Sequence, residues 1–155
     1  CMSRTVTRLA GSAIAVAALA LAACSPVLTQ KPYAASDGVR IPLTENGDVR
    51  AENVLVLASE QGAEARIVGG LTNNTSQDVE FTIGFVDGAS ATIDVPARST
   101  VLLDGSEEND LVLEDVPAAP GSTADMLFAT PELGVSTFPV PVLDGTFAEY
   151  ANLVP

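Results

Sequence analysis

The feature that most constrains the fold is the alternation of apolar side chains over Val79–Phe85. Its apolar members share one face of an extended strand, whereas Glu80 and Thr82 lie on the other. The face consists of Val79, Phe81, Ile83 and Phe85. Asp87-Gly88 follows after Val86, and the alternation resumes over residues 91–95. Because glycine tolerates the positive φ of a tight turn, this stretch predicts a β-hairpin.

Seven further segments have the composition of strands and are separated by turn residues. They span residues 39–43, 49–58, 65–72, 100–103, 111–113, 124–130 and 135–142. Parallel architectures need helical crossovers of about a dozen residues, for which the chain has no room. The pattern therefore predicts an all-β fold, an immunoglobulin-like antiparallel β-sandwich of seven to nine strands, with a small barrel as the alternative. Pro139 and Pro141 lack amide donors and mark the last strand as an edge.

A lipobox, Leu21-Ala22-Ala23-Cys24, closes an apolar run over residues 9–23 that follows two arginines. This arrangement is typical of a signal peptide. As a helix the run would span about 22 Å, short of a bilayer core of roughly 30 Å, which disfavours a permanent transmembrane helix. We therefore predict cleavage before Cys24, whose thiol would carry a diacylglyceryl group, together with an acyl chain. No other cofactor is expected.

These features divide the chain into three parts. Residues 1–23 would be a signal peptide that is removed, residues 24–37 the lipidated cysteine and a flexible tether, and residues 38–155 the β-sandwich domain. Two or three lipid chains anchor a protein stably. The sequence therefore predicts an extracytoplasmic protein, held by lipid on the outer face of the cytoplasmic membrane.

Acidic residues dominate the part that follows the signal peptide. All twenty Asp and Glu of the chain lie there, against five basic residues: Lys31, Arg40, Arg50, Arg66 and Arg98. Nucleic-acid binding requires a basic face, which five scattered cations do not form. Nucleic acid is therefore excluded as a partner, and anionic headgroups would repel the domain from the membrane surface.

Several short motifs resemble the LpqE-like small secreted lipoproteins of actinobacteria. They are Cys24, residues 32–39 (PYAASDGV), Val95-Pro96-Ala97, residues 140–146 (VPVLDGT) and Tyr150. The resemblance implies a β-sandwich distantly akin to periplasmic copper chaperones and no known enzymatic activity. It also implies association with the cytochrome bcc-aa3 respiratory supercomplex.

The residue types present do not favour catalysis or copper binding. Cu(I) selects thiolate, thioether and imidazole ligands, yet the chain has no histidine and Met126 lies in an apolar strand, where we expect it in the core. A serine triad needs a histidine base, and a Ser-Lys pair would require Lys31 of the tether. We therefore predict that the protein is not an enzyme.

An acidic loop over residues 104–110 offers oxygen ligands for calcium at Asp104, Glu108 and Asp110, and Asp115 falls where a twelfth-position ligand would be. The glycine expected at the sixth position is Asn109, and no helical pattern flanks the loop. A solvated acidic loop without metal is the interpretation that we favour.

The C-terminal residues predict a short helical turn that begins with a capping box at Thr146 and Glu149. At helical spacing one side carries Phe147, Tyr150, Ala151 and Val154. This side either packs across the open end of the sandwich or forms an anchor for a partner, with Phe147, Tyr150 and Val154 as candidates. The sequence as a whole favours an accessory or stabilising subunit of a membrane complex. A carrier of a small ligand or metal, with calcium more plausible than copper, is the alternative.

Overall fold

The computed structural model describes residues 36–155, so the predicted signal peptide, Cys24 and the tether up to residue 35 lie outside the described residues. Nine strands form, each within one residue of its predicted bounds. They are β1 (Val39–Pro42), β2 (Val49–Ala58), β3 (Ala65–Asn73), β4 (Val79–Phe85), β5 (Ser90–Val95), β6 (Ser99–Leu103), β7 (Leu111–Leu113), β8 (Thr123–Thr130) and β9 (Gly134–Leu143). The all-β prediction is confirmed. None of residues 36–155 belongs to a helix that could cross a membrane.

The strands form two layers that share β9. One layer has the antiparallel order β5-β4-β8-β9, and the other is built on β2 and β3. One edge of β2 is divided between β1 and the end of β9, and the far edge of β3 is divided between β6 and β7. In the described part of the chain, β5 and β6 end the sheet path and do not pair with each other. The sheet path therefore stays open between β5 and β6.

One strand pair departs from the predicted antiparallel arrangement. Val56 and Leu57 of β2 pair with Val142 and Leu143 of β9 in parallel. Two strands that follow each other in sequence would need a crossover connection to pair in parallel. β2 and β9, however, are far apart in sequence. The strands between them make the connection, so no helix is required.

The two layers enclose one apolar core. Phe81 and Ile83 are fully buried and Phe85 is 1% exposed, which confirms the predicted face of β4. Met126 of β8 is also fully buried, as expected of a core side chain. Phe128, two residues further along β8, contacts Phe138 of β9 edge to face, with ring centroids 6.3 Å apart.

A β-bulge in β2 determines which side chains face the core. The register with β3 shifts between Glu52 and Leu55, and Asn53 has a φ of 51°. Because successive residues point to opposite faces, the extra residue changes the core-facing positions from odd to even numbers. Leu55 and Leu57 consequently point to the outer face, although they are 1% and 0% exposed. Another part of the chain must cover them.

The prolines of β9 lie at a sheet edge, as predicted, over most of the strand. The Val142 amide donates to the carbonyl of Ser122, the residue directly before β8, at 2.9 Å. Even-numbered residues of β9 therefore direct their amides towards β8. Pro139 and Pro141 occupy odd positions, whose missing amides would face the open side. Over residues 134–141 the strand pairs only with β8, and pairing with β2 begins at Val142.

Candidate functional site

The outer face of β2 and β3 carries a second, smaller apolar cluster, which the C-terminal segment, residues 144–155, covers. Its buried members lie on the strands: Leu55, Leu57 and Val68. Partly buried side chains from the end of the chain pack against them: Leu143, Tyr150, Leu153 and Val154. The segment therefore lies on the outer face of a sheet and not across the open end of the sandwich.

Consecutive turns, without a regular helix, shape this segment. The Phe147 carbonyl accepts from the amides of Tyr150 and Ala151, each at 3.0 Å, and the Tyr150 carbonyl accepts from Leu153 at 2.9 Å. The predicted capping box does not form, because the Thr146 amide donates to Asp144 Oδ1 at 2.9 Å. Hydrogen bonds from Thr146 also hold the pKa of Asp144 below its usual value.

The exposed side of the segment differs from the prediction. Phe147 is 54% exposed and Ala151 is also exposed, whereas Tyr150 and Val154 are half-buried. The predicted common face of Phe147, Tyr150, Ala151 and Val154 does not form, because Tyr150 and Val154 pack on the sheet together with Leu153, whereas Phe147 and Ala151 face solvent. Phe147 contacts the Tyr150 ring edge to face, with centroids 6.4 Å apart and an interplanar angle of 85°. These two residues form an aromatic pair at the surface.

Tyr150 connects the C-terminal segment to the beginning of the domain. Its hydroxyl donates to Asp37 Oδ2 at 2.7 Å. Burial raises the pKa of Tyr150 to about 12, and the Asp37 carboxylate acts in the same direction. The hydroxyl is therefore protonated at neutral pH and available as a donor. Asp37 is the last residue of the predicted tether, so the aromatic pair lies beside the predicted junction of tether and domain.

Arg66 on β3 holds the same segment from the other side. Its Nε donates to Asp110 Oδ1 at 2.7 Å and its Nη2 to Asp110 Oδ2 at 3.1 Å. Its Nη1 donates to the carbonyl oxygen of Leu153. The Arg66 side chain is 15% exposed. One guanidinium thus links β3, the acidic loop and the C-terminal segment.

A groove of about 450 Å³ runs along the outer face of the β2–β3–β6 layer, next to the aromatic pair. Its lining includes Val68 and Gly70 of β3 together with Tyr150 and Leu153 of the C-terminal segment. Leu102 of β6, which is 57% exposed, also lines the groove. The groove and the aromatic pair together form a partly apolar surface.

The structure does not gather the four calcium candidates around one point. Asp110 is engaged by Arg66, and the hydroxyl and amide of Ser106 bond to Asp104 and lower its pKa. Glu108 and Asp115 are exposed, and Asp115 has a φ of 56°. Among residues 36–155, no group of three Asp, Glu, His or Cys side chains is placed to hold a metal ion.

The donor set of the described residues does not fit copper. Histidine is absent from the whole sequence, and the sulfur of Met126 lies in the core. Cys24, the predicted lipidation site, falls outside the described residues.

Sequence reasoning did not identify Arg66, Asp37 or Leu102 as parts of this surface. A basic residue within the apolar strand β3 was one available signal. The uninterrupted apolar run that ends β2 was another, because strands that are buried on both faces read as continuous apolar runs. No local pattern connects Asp37 with Tyr150.

No protein-family model matches the chain, and no curated protein is significantly similar in sequence. The apo PCuAC domain from PmoF1 is 14% identical, with a TM-score of 0.50, and the match covers 61% of this chain and 92% of that domain. The copper-bound PCuAC domain from PmoF2 is 16% identical, with a TM-score of 0.48, over 63% of this chain and 93% of that one. The likeness to the first domain establishes a shared fold. The expected likeness to copper-chaperone sandwiches is confirmed for the fold alone.

Proposed function

We propose that the protein is a non-catalytic, lipid-anchored interaction module on the outer face of the cytoplasmic membrane. It would act as an accessory or stabilising subunit of a membrane protein complex. The observation that carries this proposal is the aromatic pair of Phe147 and Tyr150. Tyr150 donates a hydrogen bond to Asp37, the last residue of the predicted tether, which would keep the pair close to the anchor.

The position of the aromatic pair supports contact with a membrane-bound partner. Aromatic side chains are enriched among the residues that dominate binding energy at interfaces. Phe147 is 54% exposed and its ring is oriented by Tyr150, so little side-chain freedom would be lost on binding. Since the tether joins the domain next to this pair, the anchor restrains the patch to stay near proteins of the same membrane.

The charge of the domain favours a partner with a basic outer surface. The chain carries a formal net charge of −13, and complementary charge guides association between proteins. The resemblance to LpqE-like lipoproteins leads us to propose the cytochrome bcc-aa3 respiratory supercomplex as this partner.

A carrier role is the weaker alternative, and the fold likeness to PCuAC domains is the observation that favours it. Copper would need ligands that the described residues lack, with Met126 buried and no histidine in the chain. Calcium would have to draw Asp104, Glu108 and Asp115 together and to compete with Arg66 for Asp110. A carrier of calcium would show a melting temperature that rises with calcium concentration, as any ligand selective for the folded state produces.

The proposal is tested with Phe147→Ser in the full chain, purified from native membranes with a C-terminal tag after mild solubilisation. We expect recovery of the partner complex to correspond to an affinity about thirtyfold lower, since a hot-spot side chain contributes about 2 kcal/mol or more. Val135→Ser is the matched control, because Val135 is an apolar side chain on β9 that is 70% exposed. Equal recovery with both variants would contradict the role of the aromatic pair.

A further inference from the structure

Strand β5 presents a free backbone edge. Among the described strands it pairs only with β4, and the Phe85 amide donates to the Ala89 carbonyl at 2.9 Å. Because backbone groups alternate in direction along an antiparallel strand, those of Ser90, Thr92 and Asp94 point away from β4. Within residues 36–155 these three residues have no backbone hydrogen-bond partner. Each therefore offers one donor and one acceptor to an incoming strand.

The other edges of the described domain are shorter or blocked. Prolines occupy the open side of β9, β1 ends at Pro42 after four residues, and β7 has three residues. β6 has five residues and gives way to the turn at Gly105, where φ is 77°. β5 extends over six residues and contains neither proline, glycine nor lysine, the devices that usually prevent further pairing.

A cavity of about 300 Å³ lies directly beside this edge, between β5 and the strands β6 and β7. Its apolar lining comes from Ile93, Val101, Leu103 and Leu111, and Glu108 stands at the same opening. Alternate side chains of a strand added to β5 would point towards this cavity. Such a pairing of backbone hydrogen bonds with side-chain pockets is the usual basis of strand addition.

We propose that β5 binds an extended, basic segment of a partner protein by β-strand addition, with an apolar side chain of that segment in the cavity. Basic residues are favoured because Asp94 lies on the edge strand and Glu108 beside the cavity, in a chain of net charge −13. A second copy of this chain would bring like charges together. The site is separate from the aromatic pair and goes beyond the function proposed above.

The test uses the full chain, purified from membranes in detergent, and a fluorescein-labelled peptide of four Lys-Val repeats. We expect this peptide to bind and a peptide of four Glu-Val repeats to bind at least tenfold more weakly. Thr92→Pro removes a free amide and blocks the edge without removing a bond to β4. It should weaken Lys-Val binding about tenfold, whereas Thr92→Ala, which keeps the backbone, should stay within about twofold.

Hydrogen exchange at residue resolution gives a second readout. The Lys-Val peptide should slow exchange at Ser90, Thr92 and Asp94, but not at Ala91 and Ile93, whose amides already face β4. Asp94→Lys, an exposed change that leaves the backbone intact, should weaken binding several-fold even if Thr92→Pro does not fold. Unchanged binding by both variants, or protection without the alternating pattern, overturns the proposal. A chain dimer that Thr92→Pro dissociates also overturns it, in favour of a second copy as the occupant.

If Thr92→Pro loses the peptide but retains the membrane complex, strand addition serves a different partner from that of Phe147. If the wild-type chain binds the peptide and no membrane complex is recovered, the function proposed above fails and the β5 site stands.

Discussion

Replacement of Arg66 by methionine should loosen the C-terminal segment that carries the aromatic pair. Methionine retains an apolar stem over the sheet but removes the guanidinium. The ion pair between Arg66 and Asp110 is bidentate, and the two side chains are 15% and 33% exposed, respectively. We therefore expect it to contribute about 1 kcal/mol, the upper end for partly exposed ion pairs. The Leu153 carbonyl loses its donor, which costs about 1 kcal/mol more.

The expected loss of about 2 kcal/mol corresponds to a fall in melting temperature of about 8 °C for a domain of this size. Chemical denaturation of wild type, Arg66→Met, Asp110→Asn and the double variant would give the coupling free energy between the two side chains. Arg40→Met is the control, because the Arg40–Glu52 pair is 3.4 Å apart with both side chains at least 44% exposed and should contribute less than about 0.5 kcal/mol. An Arg66 variant as stable as this control, or an Arg66–Asp110 coupling near zero, would refute the reasoning.

Three further predictions test the core, the junction with the tether and the anchor. Phe81→Ala should cost about 3–5 kcal/mol in unfolding free energy, because the side chain is fully buried. Thr82→Ala, on the opposite face, should cost far less. Equal losses for the two variants would contradict the assigned faces. Tyr150→Phe should lose about 1 kcal/mol at neutral pH by removing the hydrogen bond to Asp37. Because the pKa of Tyr150 is raised to about 12 in the folded state, this stabilisation is complete below pH about 10 and lost as the pH rises through 12. A difference in unfolding free energy between Tyr150→Phe and wild type that persists above pH 12 would contradict this assignment. Cys24→Ser should abolish labelling by radioactive palmitate, since only a thiol forms the thioether, and a labelled variant would disprove the lipid anchor.

The strands could be predicted from sequence because most of them have one buried and one exposed face. Such strands keep a period of two, as Val79–Phe85 illustrates, and turn residues such as Asp87-Gly88 separate them. The bulge at Asn53 was not predicted. Its effect on the faces of β2 depends on pairing with β3, which a single segment does not encode.

The candidate site could be predicted only in part. Phe147, Tyr150 and Val154 were predicted as partner-binding candidates on one side of a short helical turn. In the structure Tyr150 and Val154 pack on the sheet, whereas Phe147 is exposed. The bonds that fix the segment join residues far apart in sequence, 44 residues for Arg66–Asp110 and 113 for Tyr150–Asp37. Local periodicity carries no information about such contacts.

The most direct measurement of the central claim is purification of the tagged, full wild-type chain from its native membranes in mild detergent, followed by the absorption spectrum of the eluted material. If the protein is an accessory subunit of the respiratory supercomplex, haem absorption of the cytochromes should co-elute with it at a constant ratio through size-exclusion chromatography. Elution of the chain alone, free of haem and of any other membrane protein, together with a melting temperature that rises with calcium, would contradict the account and favour the carrier role.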